Sequence, residues 1–461
     1  MSQKYIKGAK IVSGKTKDIY VAVDSESGRP VENLVIVKNR TDITANDDAS
    51  RTKQLEGKGK FATNTTCNIF ELLQKAGIPV SYKQRIDDES FLVEKTEMIP
   101  LEVIIRRYAV GSYTKRMPHL ANDIGNPHRF DNLLFEVFLK TTDNKCIRDD
   151  EVLLENISVE DPFIKDPYDD LWQLCEPKKP TYNKTASLGI SIDALRVLQK
   201  DIAMYEIEEL TRKAFLVIES AWAINYGYRL VDFKIEFGLT SDGELVISDV
   251  IDNDSWRLRT NDWKELSKEN FRQGKSMDEI SKTYELVSLL SDRLPIIPKQ
   301  AIIVWRGSDK DDSLEFSKEI INNSDIDICN VIISAHKQPG KVLKKLSELE
   351  AQYPQGAVII AIAGMSNGLG PILSAQTLWS VINCPPDIKN SPNDIWSSIN
   401  LPSNVPASTI ISPKNAVLHA LNILSLSNPI AAMLRRYEIE EIVNSWIRRR
   451  YYGRRFTSII Q

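Results

Sequence analysis

Apolar and polar residues alternate without a break from Val231 to Phe237. A period of two predicts a β-strand with one buried face. Thr240-Ser241-Asp242-Gly243 has the composition of a turn, and a second apolar run occupies residues 245–250. Together these features predict a β-hairpin, around which the rest of the chain is organised.

The polar face and far end of this predicted hairpin are rich in ionisable residues: Asp232, Lys234, Glu236, Asp249, Asp252 and Asp254. The solvated outer face of a sheet would look similar. However, carboxylates at this density repel one another unless a cation joins them, and oxygen ligands suit Mg²⁺. A lysine beside them suits a phosphate group. We therefore interpret the stretch as a Mg–nucleotide site.

Three short β-type runs separated by turns are predicted over residues 4–40. Gly14 lies in the first turn, followed by Lys15 and Lys17. A P-loop is not indicated, because the β-rich IYVAV follows the turn where a P-loop would be followed by a helix. The turn resembles a loop that covers phosphates, and a charged surface hairpin is the alternative.

Helical spacing appears in two places in the first half of the chain. Residues 60–76 predict an amphipathic helix that ends at Gly77 and Pro79. Residues 190–223 predict a longer helix that packs under the hairpin. Between them, the acidic and proline-containing stretch 140–185 predicts an insertion that lies outside the core.

Paired arginines, Arg106 and Arg107, precede Gly111 and Ser112. Arginine offers bidentate geometry to a phosphate, and a Gly-Ser turn offers backbone N–H groups. The segment therefore predicts a grip for a phosphate monoester, although a solvated sheet edge would have the same composition.

The pattern of predicted strands and helices changes after a predicted helical linker over residues 266–300. Buried-type strands are predicted at 301–305, 326–333 and 357–363, and Gly/Ser-rich loops follow them. A helix is expected to open near Ser313. Strands that alternate with helices predict a doubly wound α/β domain, in which ligands lie beyond the carboxyl ends of the strands.

Composition narrows the class of protein. The chain has 461 residues, a net charge of −4, and 42% hydrophobic and 26% charged residues. These values predict a globular protein of two or three domains and argue against nucleic acid as the main partner. The first ten residues are polar, which argues against a secretory signal, and the longest apolar run is too short to span a bilayer.

We interpret the basic end of the last predicted helix, including Arg454 and Arg455, as helix-terminal charge complementation or a solvated tail. The five cysteines lie far apart and contain no CxxC, which favours the cytosol over an oxidising compartment.

Motifs along both halves carry a family resemblance. GKTKDIY, LEGKGK, RRYAVGSYTKR, EVFLKT, DFKIEFG and DVIDNDSWRL occur in this order and closely resemble SAICAR (phosphoribosylaminoimidazole-succinocarboxamide) synthetases. GSDKD, SAHK, GMSNGLGP and INCPP resemble the AIR (aminoimidazole ribonucleotide) carboxylase that is fused to them in animals. The resemblance implies an N-terminal α+β, ATP-grasp-like synthetase domain over 1–265 and a C-terminal flavodoxin-like, doubly wound carboxylase domain over 301–461.

The same resemblance implies a bifunctional enzyme of de novo purine synthesis. Its carboxylase half would add CO₂ to aminoimidazole ribonucleotide without biotin or ATP. Its synthetase half would join the product to L-aspartate, using ATP and Mg²⁺ and passing through an acyl phosphate. The resemblance also implies a cytosolic homo-octamer assembled through the C-terminal domain, with small-molecule substrates and neither nucleic acid nor membrane as partner.

Site residues follow from the resemblance, motif by motif. The ATP-binding residues would be Lys15, Lys17, Glu236 and Asp249, the last two also holding Mg²⁺, with Lys234 catalytic. The substrate-binding residues of the synthetase would be Arg106, Ser112, Lys140, Asp254 and Arg257. In the carboxylase, Gly307, Ser308, Ser366 and Gly368 would bind substrate, with His336 and Lys337 catalytic. A histidine titrates near neutrality, so His336 is the expected proton acceptor.

The carboxylase half departs from the family pattern, which reads GSTSD in the first loop, GRSNGLGP in the third and Ser-Gly-Asn after it. Here Asp309 replaces the threonine, Met365 the arginine, and Ala375-Gln376 the Gly-Asn pair. The first two changes make the site less attractive to an anion. We expect carboxylation to be retained but weakened by poorer ribonucleotide binding.

Two other interpretations stay open from the sequence. One is a synthetase alone, with a C-terminal domain that is weakened or serves mainly as an oligomerisation scaffold. The other is a kinase-like phosphotransferase built on the hairpin carboxylates, although the chain has no HRD-type catalytic loop and no DFG motif.

Overall fold

The computed structural model describes residues 4–14, 16–44, 52–123, 125–180, 182–199, 202–311 and 324–451. Contacts between Cα atoms divide the chain into two compact units. Unit 1 comprises residues 1–74 and 78–296, and unit 2 comprises residues 75–77 and 297–461.

Unit 1 opens with a β-rich region. Its elements are β1 (Tyr5–Ser13), β2 (Lys17–Asp24), β3 (Pro30–Asn39), β4 (Asp42–Thr44), β5 (Thr52–Gln54), α1 (Lys58–Lys75), β6 (Tyr82–Asp87), β7 (Ser90–Glu94), β8 (Glu97–Met98) and β9 (Leu101–Tyr108). An antiparallel sheet has the strand order β1-β2-β3-β7-β6. The strands predicted over residues 4–40 and the helix predicted over 60–76 are confirmed.

The remainder of unit 1 builds a larger sheet. Its elements are α2 (Ser112–Arg116), β10 (Arg129–Leu139), β11 (Cys146–Arg148), β12 (Glu151–Leu154), β13 (Phe163–Ile164), β14 (Leu171–Cys175), β15 (Ser187–Asp193), α3 (Ala194–Leu198), α4 (Met204–Tyr226), β16 (Arg229–Leu239), β17 (Leu245–Ser248), β18 (Trp256–Arg259), α5 (Glu269–Arg272) and α6 (Met277–Ser291). The strand order is β15-β14-β13-β10-β9-β16-β17, and β8 and β18 also pair with β16.

The predicted hairpin is confirmed as β16 and β17, which pair antiparallel with Glu236 opposite Ser248. Its apolar face packs on α4, where the rings of Phe215 and Phe233 lie 5.5 Å apart. The polar face is also buried along most of its length, with Asp232 3% and Glu236 5% exposed. A solvated outer face is therefore excluded, and the charged groups need partners inside the protein.

Three predictions about unit 1 differ from the structure. The long helix starts at α4, because β15 and α3 occupy the first part of the predicted range 190–223. The predicted insertion over 140–185 is partly core, since β13 and β14 extend the large sheet and Trp172 is fully buried. The predicted linker over 266–300 packs inside unit 1 up to Ile296, because Ile280 and Tyr284 of α6 share a buried apolar cluster with strand and loop residues.

Unit 2 is a layered α/β structure. Its elements are β19 (Ala301–Arg306), β20 (Asp327–Ile332), α7 (Pro339–Gln352), β21 (Ala357–Ile362), α8 (Leu369–Ser374), β22 (Ser380–Asn383), α9 (Trp396–Ile399), β23 (Ser408–Thr409), α10 (Pro413–Leu424) and α11 (Pro429–Tyr451). The strands are parallel in the order β20-β19-β21-β22-β23, which confirms the doubly wound, flavodoxin-like prediction. The helix expected near Ser313 and the basic residues Arg454 and Arg455 lie outside the described residues.

Among the helices that the structure describes, none combines the length and the apolar character needed to cross a membrane.

Candidate active sites in the two units

A cavity of about 460 Å³ in unit 1 is lined by residues of the first sheet and of the β16–β17 hairpin. One part of its wall is apolar and is formed by Val12, Ile19, Val35, Val37, Val93, Met98 and Ile99. The charged residues that line it are Lys17, Lys140, Glu236 and Asp249, together with Glu94, Lys95, Arg148 and Asp149. A cavity with both an apolar wall and convergent charges has the properties of a site for a ligand that is part ring system and part anion.

The charges in this cavity are paired across the chain. Lys140, the residue after β10, contacts the carboxylate of Glu236, and Nζ of Lys234 lies 3.8 Å from the same carboxylate. Nζ of Lys17 contacts Asp249. Three of the four predicted ATP-binding residues, Lys17, Glu236 and Asp249, therefore lie near the predicted catalytic Lys234 and the predicted substrate-binding Lys140. The fourth, Lys15, lies outside the described residues.

These contacts keep Glu236 and Lys234 in their charged forms. Burial raises the pKa of Glu236, but the surrounding lysines, led by Lys140, outweigh it and hold the pKa below its usual range. Burial lowers the pKa of Lys234, but Glu102 and Glu236 outweigh it and raise the pKa. Lys234 is therefore a fixed positive charge beside an ionised carboxylate.

Asp249 takes the left-handed backbone conformation, with φ 64°, immediately after β17. A non-glycine residue held in this region costs about 1 kcal/mol or more, and such residues often occur at functional sites. The turn takes Asp249 out of the strand pairing that ends at Ser248 and places its carboxylate on the cavity wall with Lys17.

A second cluster forms around Asp232, two residues before Lys234 on the same strand. Asp232 accepts a 2.7 Å hydrogen bond from Arg257 and another from Arg106. Arg106 also donates to Oγ of Ser112 at 3.3 Å. The three residues predicted to grip the ribonucleotide phosphate are thus brought together.

Gly111 allows this approach. It has φ 62°, and a Cβ on it would lie 2.5 Å from a terminal nitrogen of Arg257. The predicted pair Arg106 and Arg107 separates, because Arg107 donates a bond of 2.7 Å to Glu219 on α4. The residue pattern alone did not distinguish the two arginines, whereas the family resemblance selected Arg106; the two side chains point to opposite faces of β9.

Asp254, which the resemblance places in the substrate cleft, is hydrogen-bonded by side chains of this chain. Its Oδ2 accepts from Lys58 at 2.8 Å and from Lys268 at 3.2 Å, and its Oδ1 accepts from Tyr284 at 2.5 Å. Burial raises the pKa of Asp254, but Lys58 and Lys268 outweigh it and lower the pKa. Both oxygens are therefore engaged by this chain.

Sequence reasoning missed two further acids near Lys234. Glu102 accepts a 2.5 Å bond from Lys234. Asp161, with φ 45°, accepts a 2.9 Å bond from the backbone N–H of Thr141, the residue after Lys140. Burial raises the pKa of Asp161 to about 6, with Glu102 adding to the effect. Asp161 lies in the stretch that was assigned to an insertion, so no pattern pointed to it.

In unit 2 the predicted residues lie in the loops after β19, β20 and β21, at one edge of the parallel sheet. Gly307 and Ser308 follow β19, His336 and Lys337 follow β20, and Ser366 and Gly368 follow β21. Gly368 lies against His336, since a Cβ on this glycine would be 2.7 Å from Nε2 of the imidazole. Oδ2 of Asp311 accepts a 2.7 Å bond from the backbone N–H of Ser308.

The departures from the family pattern are at the surface of unit 2. Met365 has φ 56° and is 83% exposed, and Asp309 is exposed. Ala375 follows α8 with ordinary helical dihedral angles and is exposed.

Comparisons with known proteins agree with this arrangement. The profile of the SAICAR synthetase family matches residues 10–165 and 173–287, and that of AIR carboxylase matches residues 301–442. The probable multifunctional protein ADE2 of Caenorhabditis elegans is 31% identical over 431 residues, covering 91% of this chain and 90% of that protein. The bifunctional phosphoribosylaminoimidazole carboxylase/phosphoribosylaminoimidazole succinocarboxamide synthetase of Rattus norvegicus is 32% identical over 459 residues, covering 95% of each. A solved type-2 SAICAR synthetase in complex with ADP is 25% identical, with a TM-score of 0.43, covering 60% of this chain and 96% of that one.

Fold and site together define a two-unit enzyme, with a cavity that joins an apolar wall to converging charges in one unit and a doubly wound sheet in the other. The chain belongs to the SAICAR synthetase family and also carries an AIR carboxylase domain, the combination found in the bifunctional enzymes of purine biosynthesis. Because both domains are present, the bifunctional interpretation holds over a synthetase alone.

Proposed function

We propose that the cavity in unit 1 binds ATP and that the unit joins a carboxylated aminoimidazole ribonucleotide to L-aspartate. One observation carries this proposal: Lys17, Lys140, Glu236 and Asp249 converge in a cavity that also has an apolar wall. The apolar wall suits an adenosine, and the lysines suit its phosphates. The cluster around Asp232 supplies a separate place for the phosphate of the ribonucleotide.

The chemistry follows from the weakness of a carboxylate as an acyl donor. An oxygen of the ribonucleotide carboxylate attacks the γ-phosphorus, the bond to the bridging oxygen breaks, and ADP leaves. The amine of aspartate then attacks the acyl carbon, phosphate leaves, and the amine loses a proton. Lys234 stays charged beside Glu236 and stabilises the negative charge that develops on the transferring group. Lys15 would join Lys17 in holding the nucleotide phosphates.

A magnesium ion fits the donor set. Among the described residues no group of three or more His, Cys, Asp or Glu side chains could hold a metal by itself. Mg²⁺ needs no such group, because it commonly takes one or two carboxylates together with substrate phosphates and water. Glu236 and Asp249, both on the cavity wall, are the residues that would hold it. When bound there, Mg²⁺ would offset the charge of the triphosphate.

Arg257 and Ser112 would bind the ribonucleotide phosphate, and Arg106 would support them. Arg106 is 1% exposed and shared between Glu136 and Asp232, so its main role would be to orient Asp232 and Ser112. Asp254 would act through Lys58 and Lys268, because both of its oxygens are already hydrogen-bonded.

Unit 2 would add CO₂ to aminoimidazole ribonucleotide. A carbon–carbon bond forms between CO₂ and the ring, the ring then loses a proton, and His336 accepts that proton. Gly307, Ser308, Ser366 and Gly368 would surround the ribonucleotide, with Lys337 offering a positive charge. The reaction uses neither biotin nor ATP.

The extent, assembly and compartment of the protein complete the proposal. We assign residues 1–296 to the synthetase, extending it beyond 265, and the residues from 297 onward to the carboxylase. Unit 2 would form a homo-octamer, and its exposed apolar residues Leu378, Trp396 and Leu426 are candidates for its contacts. Free thiols at all five cysteines suit the cytosol. Nucleic acid and membrane are not expected as partners.

The test is a two-stage assay on the purified chain. Aminoimidazole ribonucleotide with bicarbonate should give the carboxylated product. Addition of L-aspartate and Mg–ATP should then give the amide with equal amounts of ADP and phosphate. Release of ADP without amide formation would favour the kinase-like alternative, and absence of carboxylation would favour the scaffold alternative for unit 2.

A further inference from the structure

The loop after β21, residues 364–368, is tied to the segment that contains α9. Oδ2 of Asp394 accepts a 2.6 Å hydrogen bond from the backbone N–H of Met365. Oγ of Ser397 accepts a 3.0 Å bond from the N–H of Asn367 and donates 2.9 Å to the carbonyl of Met365. These two side chains therefore engage both the N–H and the C=O groups of the loop.

The loop needs such support because Met365 has φ 56°. This left-handed region is unfavourable for a residue with a Cβ. The side chain of Met365 is 83% exposed, so no packing of its own holds the turn in place. Within the described residues, the bonds from Asp394 and Ser397 are what restrain residue 365.

A second layer of bonds makes the support rigid. Asn367 is 4% exposed, and its amide nitrogen donates to Asn383 at 3.0 Å and to Ser398 at 3.1 Å. The amide of Asn383 donates in turn to the carbonyl of Ser398 at 3.0 Å. The loop, the end of β22 and α9 are thereby joined in one buried polar network, in which neighbouring hydrogen bonds strengthen one another.

The consequence for the site lies at the other end of the loop. Asp394 and Ser397 accept hydrogen bonds from the N–H groups of Met365 and Asn367, and Ser366 between them is exposed at the turn. Gly368 is placed so close to His336 that a Cβ on it would be 2.7 Å from Nε2. The position of loop 364–368 therefore determines the distance and orientation between the His336 imidazole and the Ser366 hydroxyl.

We propose that Asp394 and Ser397 are positioning residues of the carboxylase site: they hold loop 364–368 so that Gly368 seats His336 and Ser366 is presented to the ribonucleotide. This inference rests on the proposed carboxylation by unit 2. Neither residue is expected to touch the substrate, so each acts through the loop.

The test compares variants that remove or keep the acceptor for the Met365 N–H. Asp394→Ala removes it, whereas Asp394→Asn keeps an oxygen in the same place. Asp394→Ala should lower kcat for carboxylation roughly tenfold to a hundredfold, since a misplaced catalytic group costs this much. The KM for aminoimidazole ribonucleotide should change less, and Asp394→Asn should recover most of kcat. Ser397→Ala should act in the same direction, which guards against a folding defect confined to one variant.

Two measurements accompany the kinetics. Hydrogen exchange of the peptide that contains residues 364–368 should be faster in Asp394→Ala than in the wild type, and close to the wild type in Asp394→Asn. Asp387→Ala, which removes an exposed carboxylate from the same connecting segment, should leave both carboxylation and exchange unchanged. Hydrogen exchange of the peptides that contain β19 and β21 reports whether unit 2 of each variant is folded.

The outcomes separate this inference from the function on which it rests. A wild-type chain that does not carboxylate contradicts the proposed function of unit 2. A wild-type chain that does, together with an equally active Asp394→Ala or with equal losses in the alanine and asparagine variants, contradicts only the positioning role.

Discussion

The hydroxyl of Tyr284 donates a 2.5 Å hydrogen bond to Oδ1 of Asp254. Tyr284 belongs to α6, a helix that sequence patterns assigned to a linker, and Asp254 follows the hairpin that carries the candidate ATP site. Burial and the nearby carboxylate raise the pKa of the tyrosine well above its usual value, so the hydroxyl remains a donor. The helix α6, predicted to be part of a linker, thus supplies a hydrogen-bond donor to the carboxylate of Asp254.

Replacement of this tyrosine should destabilise unit 1. Tyr284→Phe keeps the ring in the cluster with Ile280 but leaves one oxygen of an ionised carboxylate without its donor, which costs about 1–3 kcal/mol. The denaturant concentration that halves synthetase activity should fall accordingly. Tyr182→Phe, at a position that is 73% exposed, is the matched control and should cause no shift. Equal behaviour of the two variants would show that the Tyr284–Asp254 bond contributes little.

The sequence could predict the part of this site that depends on local patterns of apolar and polar residues. Strict alternation over Val231–Phe237 and a turn after it determine a hairpin, so its charged face could be predicted before any partner was known. The hydrogen bonds of Asp254 could not be predicted, because its partners Lys58, Lys268 and Tyr284 come from other segments of the chain. Only the three-dimensional fold shows that they have already used its oxygens.

Asp249→Asn should remove a hard ligand of the proposed Mg–ATP site without disturbing the turn, because asparagine tolerates the left-handed conformation well. Synthetase turnover should fall roughly a hundredfold or more. Carboxylation should survive, since its candidate residues all lie in unit 2. Asp242→Asn, in the exposed turn of the same hairpin, serves as the control. Near-normal Mg-dependent ADP release by Asp249→Asn would refute the assignment of the metal.

Arg257→Lys should separate the two substrates of the synthetase. Lysine keeps the charge but cannot donate to Asp232 while also presenting a planar fork to a phosphate. Initial-rate kinetics should therefore show a larger rise in KM for the ribonucleotide than for ATP. An equal rise for both would indicate a general disturbance of the Asp232 cluster, and a rise for ATP alone would reassign Arg257 to the nucleotide.

Asp161 should make the stability of unit 1 depend on pH. Its pKa is raised to about 6 in the folded state, so the folded protein holds this proton more tightly than the unfolded chain does. Its protonation stabilises the fold most at low pH, and that contribution is lost as pH rises through 6. Asp161→Asn cannot ionise, so its stability relative to the wild type should increase between about pH 4 and 7 and then level off. Urea denaturation at several pH values tests this, and a constant difference would contradict it.

Asp161 also shows why part of a site escapes a reading of sequence. An acidic, proline-containing stretch has the composition of a surface excursion, yet β13 and β14 pair it onto the large sheet. Burial of Trp172 and Ile164 then anchors the stretch in the core. Long-range strand pairing of this kind has no local signature, so the acid that it brings near Lys234 could be found only in the structure.

The last prediction concerns the two charge changes in the loops of unit 2. Met365 is 83% exposed and its side chain takes no part in holding the loop, so an arginine there would be free to reach a bound anion. Asp309 is an exposed acid in the loop expected to face the ribonucleotide phosphate. The double variant Asp309→Thr, Met365→Arg should therefore lower the KM of carboxylation about tenfold, the effect of one charge-assisted hydrogen bond, with little change in kcat. Ala375→Gly is the control and should change neither constant, because Ala375 is exposed and in ordinary helical geometry. Native carboxylation that already matches the synthetase half, and does not change in the double variant, would show that these departures have no effect on ribonucleotide binding.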